Sequence, residues 1–586
     1  MYILGINAFH GDSSACLLKN GVLIAAAEEE RFRRIKHWAG FPSQAIQWCL
    51  SEAKIDLNEV HHVAVNQDIK ANLFKKIIFA LINQPNFRIL LDRFKNKRKR
   101  SGIKNYLLKE FPNSKFKGQV HSVEHHTAHM SSAFHVSPFD DAVVLSIDGF
   151  GDFASAAWGV GLDTKINLDD RVYFPHSLGI FYQALTQYLG FNNYGDEYKI
   201  MGLAPYGKPI YIEQMRQIVR LKKDGKYELN LDYFRHHSEK IDYKWDGGSP
   251  HLGILFSNKL EKLLGPVRKK NEELTQHHKD IAHSVQVMYE EAFFNLLNNL
   301  HNKYKLNNLA IAGGCAMNSV ANGKVLLNTP FKKIYVQAAA GDAGGAIGAA
   351  LTTWYNIDNL KDKKQKNSHD HAYWGPSFTN EYIGKLLNIQ KDIIEKQNCV
   401  VEKFSDFLKI TQITAKEIAE GKVIGWFQGK MEWGPRSLGN RSIVCDPRRS
   451  NMKDILNLKI KRRESFRPFA PSILNEEVSE WFEQDGDVPF MMQVYQITKD
   501  KRIKIPAVTH VDGSGRLQTV NIKTNPRYYA LIKEFEKITG IPIVLNTSFN
   551  ENEPVVCKPE EALKTFLRTK MDMLVMGNWI IKRNNR

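Results

Sequence analysis

The segment VEHHTAHMSSAF, residues 123–134, places His125 and His129 four apart with His126 between them. On a helix that spacing puts two imidazoles on one face, one turn apart. Two such nitrogens make part of a coordination shell, and the same pattern suits histidines that merely cap or pack. A third ligand is available in Asp342, which ends an expected strand and opens a glycine-rich turn, an exposed position in α/β folds. His125, His129 and Asp342 together form a two-histidine, one-carboxylate set with open positions, suited to Fe(II) or another divalent ion that also touches a ligand.

Anion chemistry is written in two other places. Gly313-Gly314 and the run Gly341-Asp342-Ala343-Gly344-Gly345 each follow an expected strand and open a helix. Backbone N–H groups at such starts approach phosphate closely because glycine has no Cβ to block it. The Asp148-Gly149 turn adds a carboxylate able to hold a metal or a metal-bound water. The same glycines also suit close helix–strand packing. Further on, GKMEWGPRSLGNRSIVCDPR (429–448) carries Arg436, Arg441 and Ser442, and LNLKIKRRESFRPFAPSIL (456–474) carries Lys459, Lys461, Arg463 and Arg467. Glycines and prolines hold these cations on turns where they can converge, and arginine forks match phosphate or carboxylate oxygens in pairs. VLNTSFN (544–550) ends a strand with Asn546, Thr547 and Ser548, neutral donors to an oxyanion. Trp426, Trp433, Phe466, Pro468 and Phe469 among these cations point to an enclosed pocket rather than a solvated basic surface.

The elements that must position these groups follow from periodicity. Residues 3–27 spell strand, Gly-containing turn, strand, Lys-Asn-Gly turn and strand, and residues 143–160 repeat the opening. Each apolar run ends in Asn7 or Asp148, then has Gly11-Asp12 or Gly151-Asp152, then a small-residue strand. Such a repeat predicts two similar lobes facing each other. Residues 42–54 and 280–304 have helical spacing, and 309–325 and 333–355 are strand–glycine–helix units. The polar stretch 356–372 is the expected linker, with the domain boundary near 365.

Composition bounds the rest. The 586 residues suffice for several domains, and 43% hydrophobic and 11% aromatic content is globular. Six scattered cysteines without a CxxC pair predict reduced thiols in a cytoplasmic protein rather than disulfides or a zinc ribbon. The N-terminus lacks the basic and small-residue features of a signal peptide, and no apolar run reaches the roughly 18 residues of a membrane span. A formal charge of +18 suits anionic ligands and equally suits simple compositional bias. Residues 72–100 join bulky apolar side chains to a basic tail at 95–100. They read as a core helix with a solvated loop, and the competing picture of peripheral membrane contact is weakened by Pro85.

These strings together resemble a known family. EEERFRRIKH (28–37), VEHHTAHMSSAF, SIDGFGD (146–152), EYKIMGLAPYG (197–207), AGGCAMNSVANG (312–323), GPRSLGNRS, FRPFAPS and LNTSFN lie in order across nearly the whole chain. The chain is similar to the ATP-dependent O-carbamoyltransferases that decorate nodulation factors, cephamycins and tobramycin. The resemblance implies an α/β protein: a duplicated, two-lobed actin/sugar-kinase-like domain over 1–365, then a twisted-sheet domain over 366–586 resembling the YrdC-like adenylate-forming domain.

The resemblance also implies chemistry and roles. Carbamoyl phosphate and ATP, with magnesium, would form carbamoyl-adenylate in the second domain. An acceptor hydroxyl would take the carbamoyl group in the first. His125, His129 and Asp342 resemble the iron set. His10, Asp12, Lys36 and Asp148 resemble the catalytic groups, with His37 able to serve in place of Lys36. Gly149, Gly313, Gly314 and Asn318 resemble adenylate contacts. Arg436, Arg441, Lys461, Arg463, Arg467, Asn546 and Ser548 resemble the carbamoyl-phosphate and ATP pocket. The expected partner is a hydroxylated small molecule or glycan rather than nucleic acid, with oligomerization left open. A threonylcarbamoyl transferase acting on tRNA and a non-catalytic actin-like ATP-binding module are the competing readings. Fe, Mn and Zn can share the metal ligands.

Overall fold

The computed structural model describes residues 1–83, 102–239, 241–244, 247–357 and 366–584. The chain divides into two compact units, residues 1–369 and 370–586. The expected boundary near 365 and the basic run 95–100 both lie outside the described residues.

The first unit opens with β1 (Tyr2–Asn7), β2 (Ser14–Lys19) and β3 (Val22–Glu28), followed by α1 (Ser43–Glu52), β4 (His62–Val65) and β5 (Gln119–Ser122). The sheet order is β3-β2-β1-β4-β5, antiparallel across the hairpins and parallel from β1 to β5. After α2 (His125–Phe134) the pattern recurs. β6 (Asp141–Gly151), β7 (Ala154–Leu162) and β8 (Lys165–Tyr173) form hairpins. Then α3 (Gln276–Tyr304) leads to β9 (Asn308–Ala312) and β10 (Lys333–Val336), giving the order β8-β7-β6-β9-β10 with the same directions. Two sheets of one topology are the duplicated lobes foreseen from the paired hairpins, and this strand order is that of the actin/sugar-kinase fold.

β1 and β6 read as nearly continuous apolar runs because helices cover both faces of their sheets, and all but their ends are buried. α2 is buried at every position except Thr127, so it has no solvent face. The last helix among the described residues of the unit, α4 (Gly345–Asn356), crosses it closely. A Cβ on Gly348 would stand 1.7 Å from the Ala128 carbonyl oxygen, so only glycine permits that crossing.

Beside a separate two-stranded pairing of Tyr495–Gln496 with Ser514–Gly515, the second unit is built on an eight-stranded mixed sheet. In chain order its strands are β11 (Cys399–Lys403), β12 (Ile424–Phe427), β13 (Arg441–Cys445), β14 (Ala470–Leu474), β15 (Gln518–Val520), β16 (Ile543–Ser548), β17 (Met573–Met576) and β18 (Trp579–Arg583). The order across the sheet is β11-β18-β17-β12-β13-β16-β14-β15. Antiparallel β13 and β16 pair Ser442 with Ser548 and Val444 with Asn546. That pairing makes neighbours of two sequence motifs about 100 residues apart. Trp426, Phe427, Tyr528 and Phe535 anchor the core.

Candidate active site and metal centre

The register between β6 and β7 shifts between Ile147 and Gly151, which lifts Asp148, Gly149 and Phe150 out of the ladder. α2 starts just opposite, capped by the Glu124 carboxylate accepting the Thr127 N–H at 2.8 Å. Its first turn delivers His125 and His129 with their Nε2 atoms 3.1 Å apart and their rings near perpendicular. Asp148 Oδ2 stands 3.2 Å from His125 Nε2 and 3.0 Å from His129 Nε2. Asp342 Oδ1 stands 3.7 and 3.6 Å from the same two nitrogens. All four donor atoms lie within 4.8 Å of one another. Two imidazole nitrogens and two carboxylates converging on one point fit a divalent first-row ion, with Asp148 added to the three residues expected. His126 is not part of the set. It turns to Ser146, 2.8 Å away, and burial pushes its pKa down to about 4.

Burial opposes charge on His129, yet hydrogen bonds to Asp148 and Asp342 outweigh it and raise its pKa to about 9. Asp148 shows the converse: burial works against its charge, and the two histidines hold it well below the carboxylate range.

The other expected residues of this unit gather around the cluster unequally. Gly149 donates its N–H to Asp148 Oδ1 at 2.7 Å and faces open space where a Cβ would project. Gly314 lies against Asp148, and Gly313 turns with φ +97° against the Ile147 backbone. His10 Nδ1 stands 3.9 Å from Asp342 Oδ2. Asp12 instead pairs with His37, whose Nδ1 is 2.8 Å from its Oδ1. Lys36 is exposed on the adjoining turn, so His37 is the one that meets Asp12. Asn318 is committed to structure: its Oδ1 caps a short helix by accepting the Ala321 N–H, and it exchanges hydrogen bonds with Gln286.

In the second unit, Arg516 lies within electrostatic reach of Arg436, Arg463 and Arg467. Burial and these three guanidiniums hold the Arg516 pKa well below its ordinary value. Arg463 also stacks on Phe469 at 4.4 Å. Lys461 is buried and donates to Ser548 Oγ at 3.2 Å and Asn550 Oδ1 at 2.8 Å. Asn546 is buried, with Nδ2 donating to Ser437 O, Ser472 Oγ and Gln518 Oε1. Arg441 stands apart from the expected ligand set. It is fully buried, stacked on Phe427 at 3.7 Å, and donates to the carbonyls of Gln428, Gly429, Asn440 and Pro376. Its charge pins the loop that bears Arg436 instead of facing a ligand.

With this geometry established, the family is decided by comparison. Residues 2–351 match the Carbamoyltransferase N-terminus family model and residues 415–583 the Carbamoyltransferase C-terminus model. The chain belongs to the carbamoyltransferase family. An uncharacterized protein of Synechocystis is similar to this carbamoyltransferase, 40% identical over 99% of this chain and 97% of its own. The nodulation protein NolNO of Sinorhizobium fredii is 37% identical over 98% of this chain and 80% of that protein. NolO of Bradyrhizobium diazoefficiens is 40% identical over 79% of each. Among solved structures, the ROK hexokinase of Thermus thermophilus is 12% identical over 60% of this chain and 98% of its own, with a TM-score of 0.29. That likeness is too low to carry weight, and the fold assignment rests on strand order alone.

Several residues of this carbamoyltransferase escaped sequence reasoning. Arg516 lies in no cation-rich motif. Asp152 Oδ2 accepts the His125 N–H at 3.0 Å and the Asp68 N–H at 2.8 Å, tying the histidine helix to the turn after β4. The repeated Gly-Asp of the hairpins was its signal. Tyr194 packs its hydroxyl on Gly11 and its ring edge toward His37, at 5.4 Å. Glu432 Oε1 collects the N–H groups of Leu438, Asn440 and Arg441 at 2.8, 2.8 and 3.0 Å, shaping the arginine loop.

Proposed function

We propose that this protein is an ATP-dependent O-carbamoyltransferase working in two steps. In the second unit, water cleaves carbamoyl phosphate to carbamate and phosphate, and the carbamate oxygen then attacks the ATP α-phosphorus, releasing pyrophosphate and leaving carbamoyl-adenylate. In the first unit, an acceptor hydroxyl attacks the carbamoyl carbon, the C–O bond to AMP breaks, and the hydroxyl proton passes to a base. The observation that carries this reading is the convergence of His125, His129, Asp148 and Asp342 at the β6 bulge.

Carbamate is a poor electrophile because nitrogen and oxygen both donate into its carbonyl, so an adenylate leaving group is what makes displacement feasible. Arg436, Arg463, Arg467 and Arg516 would neutralize the phosphates of both substrates, and Lys461 would hold the 546–550 loop against them. This fits the resemblance of the unit to an adenylate-forming domain. In the first unit Gly149, Gly313 and Gly314 would admit the adenylate phosphate to close backbone approach. A divalent ion on His125, His129 and Asp342, Fe(II) being the expectation, would supply Lewis acidity. Asp12, held by His37, is the carboxylate available to orient or deprotonate the acceptor. The acceptor would be a small molecule or glycan bearing a hydroxyl. No helix among the described residues is long and apolar enough to cross a membrane, and six unpaired cysteines suit a reducing, cytoplasmic setting.

The deciding assay is release of pyrophosphate and AMP from ATP. Release that requires carbamoyl phosphate supports the reading; slow ATP turnover indifferent to it supports the actin-like binding module instead.

A further inference from the structure

Asn66 follows β4 at the carboxyl end of the first sheet, where open α/β sheets bind ligands. It is 1% exposed, and neither Nδ2 nor Oδ1 has a hydrogen-bond partner. Among the described residues it is the only carboxamide with both ends in that state. Its backbone is anchored, the N–H donating to the Ile6 carbonyl at 3.3 Å, which fixes where the side chain departs from the main chain. Nδ2 stands 2.3 Å from where a Cβ on Gly345 would project, and Gly345 is the first residue of α4. The amide is thus aimed at the start of a 12-residue helix, whose first N–H groups favour an oxygen carrying negative charge.

Two chain connections place this amide beside the metal cluster. Gly345 directly follows the Asp342–Gly344 turn. Asp68, two residues after Asn66, shares the Asp152 carboxylate with the His125 N–H. The segments on either side of Asn66 are therefore those that position Asp342 and His125.

A buried donor or acceptor left unmade forfeits its hydration with nothing in return, so an unpartnered pair signals a ligand with the complementary pattern. That pattern is an acceptor oxygen and an N–H donor side by side. A carbamoyl group has it: one carbonyl oxygen and one NH₂ on the same carbon, matching a carboxamide through two parallel hydrogen bonds. We propose that Asn66 reads the carbamoyl group in the transfer site, Nδ2–H donating to the carbonyl oxygen and Oδ1 accepting from the carbamoyl N–H. The residue then sets donor specificity, because an acetyl or formyl group lacks the N–H and leaves Oδ1 unsatisfied. This deepens the proposed function and rests on it.

The test uses the full chain and two stable probes, the N-carbamoyl and N-acetyl sulfamoyl analogues of the acyl-adenylate. Wild type binds the carbamoyl probe at least about 10-fold more tightly, since sites built to hydrogen-bond a group reject analogues lacking it. Asn66→Ala binds the two probes alike, releases pyrophosphate as wild type does, and melts no lower, because an unsatisfied amide has been removed. Asn66→Asp, matched in shape, keeps an acceptor for the carbamoyl N–H but loses the donor to the carbonyl oxygen that both probes share, so it binds both probes more weakly and retains the carbamoyl preference. An alanine variant that keeps the preference, or an aspartate variant that binds both probes as tightly as wild type, overturns the proposal and makes Asn66 a structural amide. Wild type without carbamoyl-phosphate-dependent pyrophosphate release refutes the proposed function instead. Wild type with that release but no preference refutes only the role of Asn66.

Discussion

Asp148 lies 3.0 Å from His129, nearer than Asp342 at 3.6 Å, although the expected ligand set was His125, His129 and Asp342. The carboxylate of the β6 bulge is therefore built into the cluster, and one ladder irregularity joins the two lobes' contributions to it. Under the proposed function, a metal-holding role for His129 is separable from activation of carbamate, which that proposal assigns to the other unit.

His129→Ala removes one of two converging nitrogens. Metal content measured by mass spectrometry falls, and carbamoyl transfer drops by about 100-fold or more, given that even outer partners of metal ligands matter 10- to 100-fold. Pyrophosphate release with carbamoyl phosphate persists. Equal loss of both half-reactions would refute a role confined to transfer.

Arg436 and Arg441 are five residues apart and should fail in opposite ways. Arg441→Met leaves the Gln428, Gly429, Asn440 and Pro376 carbonyls without their donor and removes a buried charge. Breaking such a site costs roughly 3–5 kcal/mol, seen as a fall in melting temperature. Arg436→Met keeps the fold while pyrophosphate release drops about 100- to 1,000-fold, the scale of losing one preorganized donor.

The Asp12–His37 pair predicts an alkaline loss of stability. Burial alone would lower the His37 pKa, but Asp12 outweighs it and raises it from 6.5 to about 9. A raised folded pKa means the pair's contribution is complete below about pH 6.5 and lost as pH climbs through about 9. At the acid end burial again opposes charge, and His37 holds Asp12 below its ordinary 3.8, so that contribution goes only as pH falls through the lowered value. Melting temperature measured from pH 6 to 10 should decline more steeply in wild type than in His37→Gln. Parallel curves would refute the pairing.

Gly348→Ala tests the helix crossing. Its Cβ would meet the Ala128 carbonyl at 1.7 Å, within the turn that carries His125 and His129. Forcing the helices apart costs at least about 1–3 kcal/mol, and transfer should fall with stability because the histidines move with α2. An unchanged melting temperature would mean that α4 can shift freely.

Much of this was legible in the chain. The doubled hairpin, strand then Gly-Asp turn then small-residue strand, announces two lobes because period-2 patterning and turn chemistry are local properties. The i, i+4 histidines share a face for the same reason. Arg441 shows where such reading stops: its neighbours made it look like a phosphate ligand, and only the path of the 428–440 loop decided that carbonyls would engage its two terminal nitrogens. Lys36 and His37 differ by one position on a turn, and tertiary packing put the histidine against Asp12.

The amino-acid order by itself marked the histidine pair, Asp342 and the clustered cations of 436–467 as candidates, and the strands and helices that bear them, since both follow from side-chain type and short-range spacing. The tertiary structure alone decided which of them meet. Asp148 joins the histidines through a register shift, Arg516 joins three arginines more than 45 residues away, and Asn66 faces a helix nearly 280 residues further along. Each of those meetings depends on long-range packing, which local patterning does not encode.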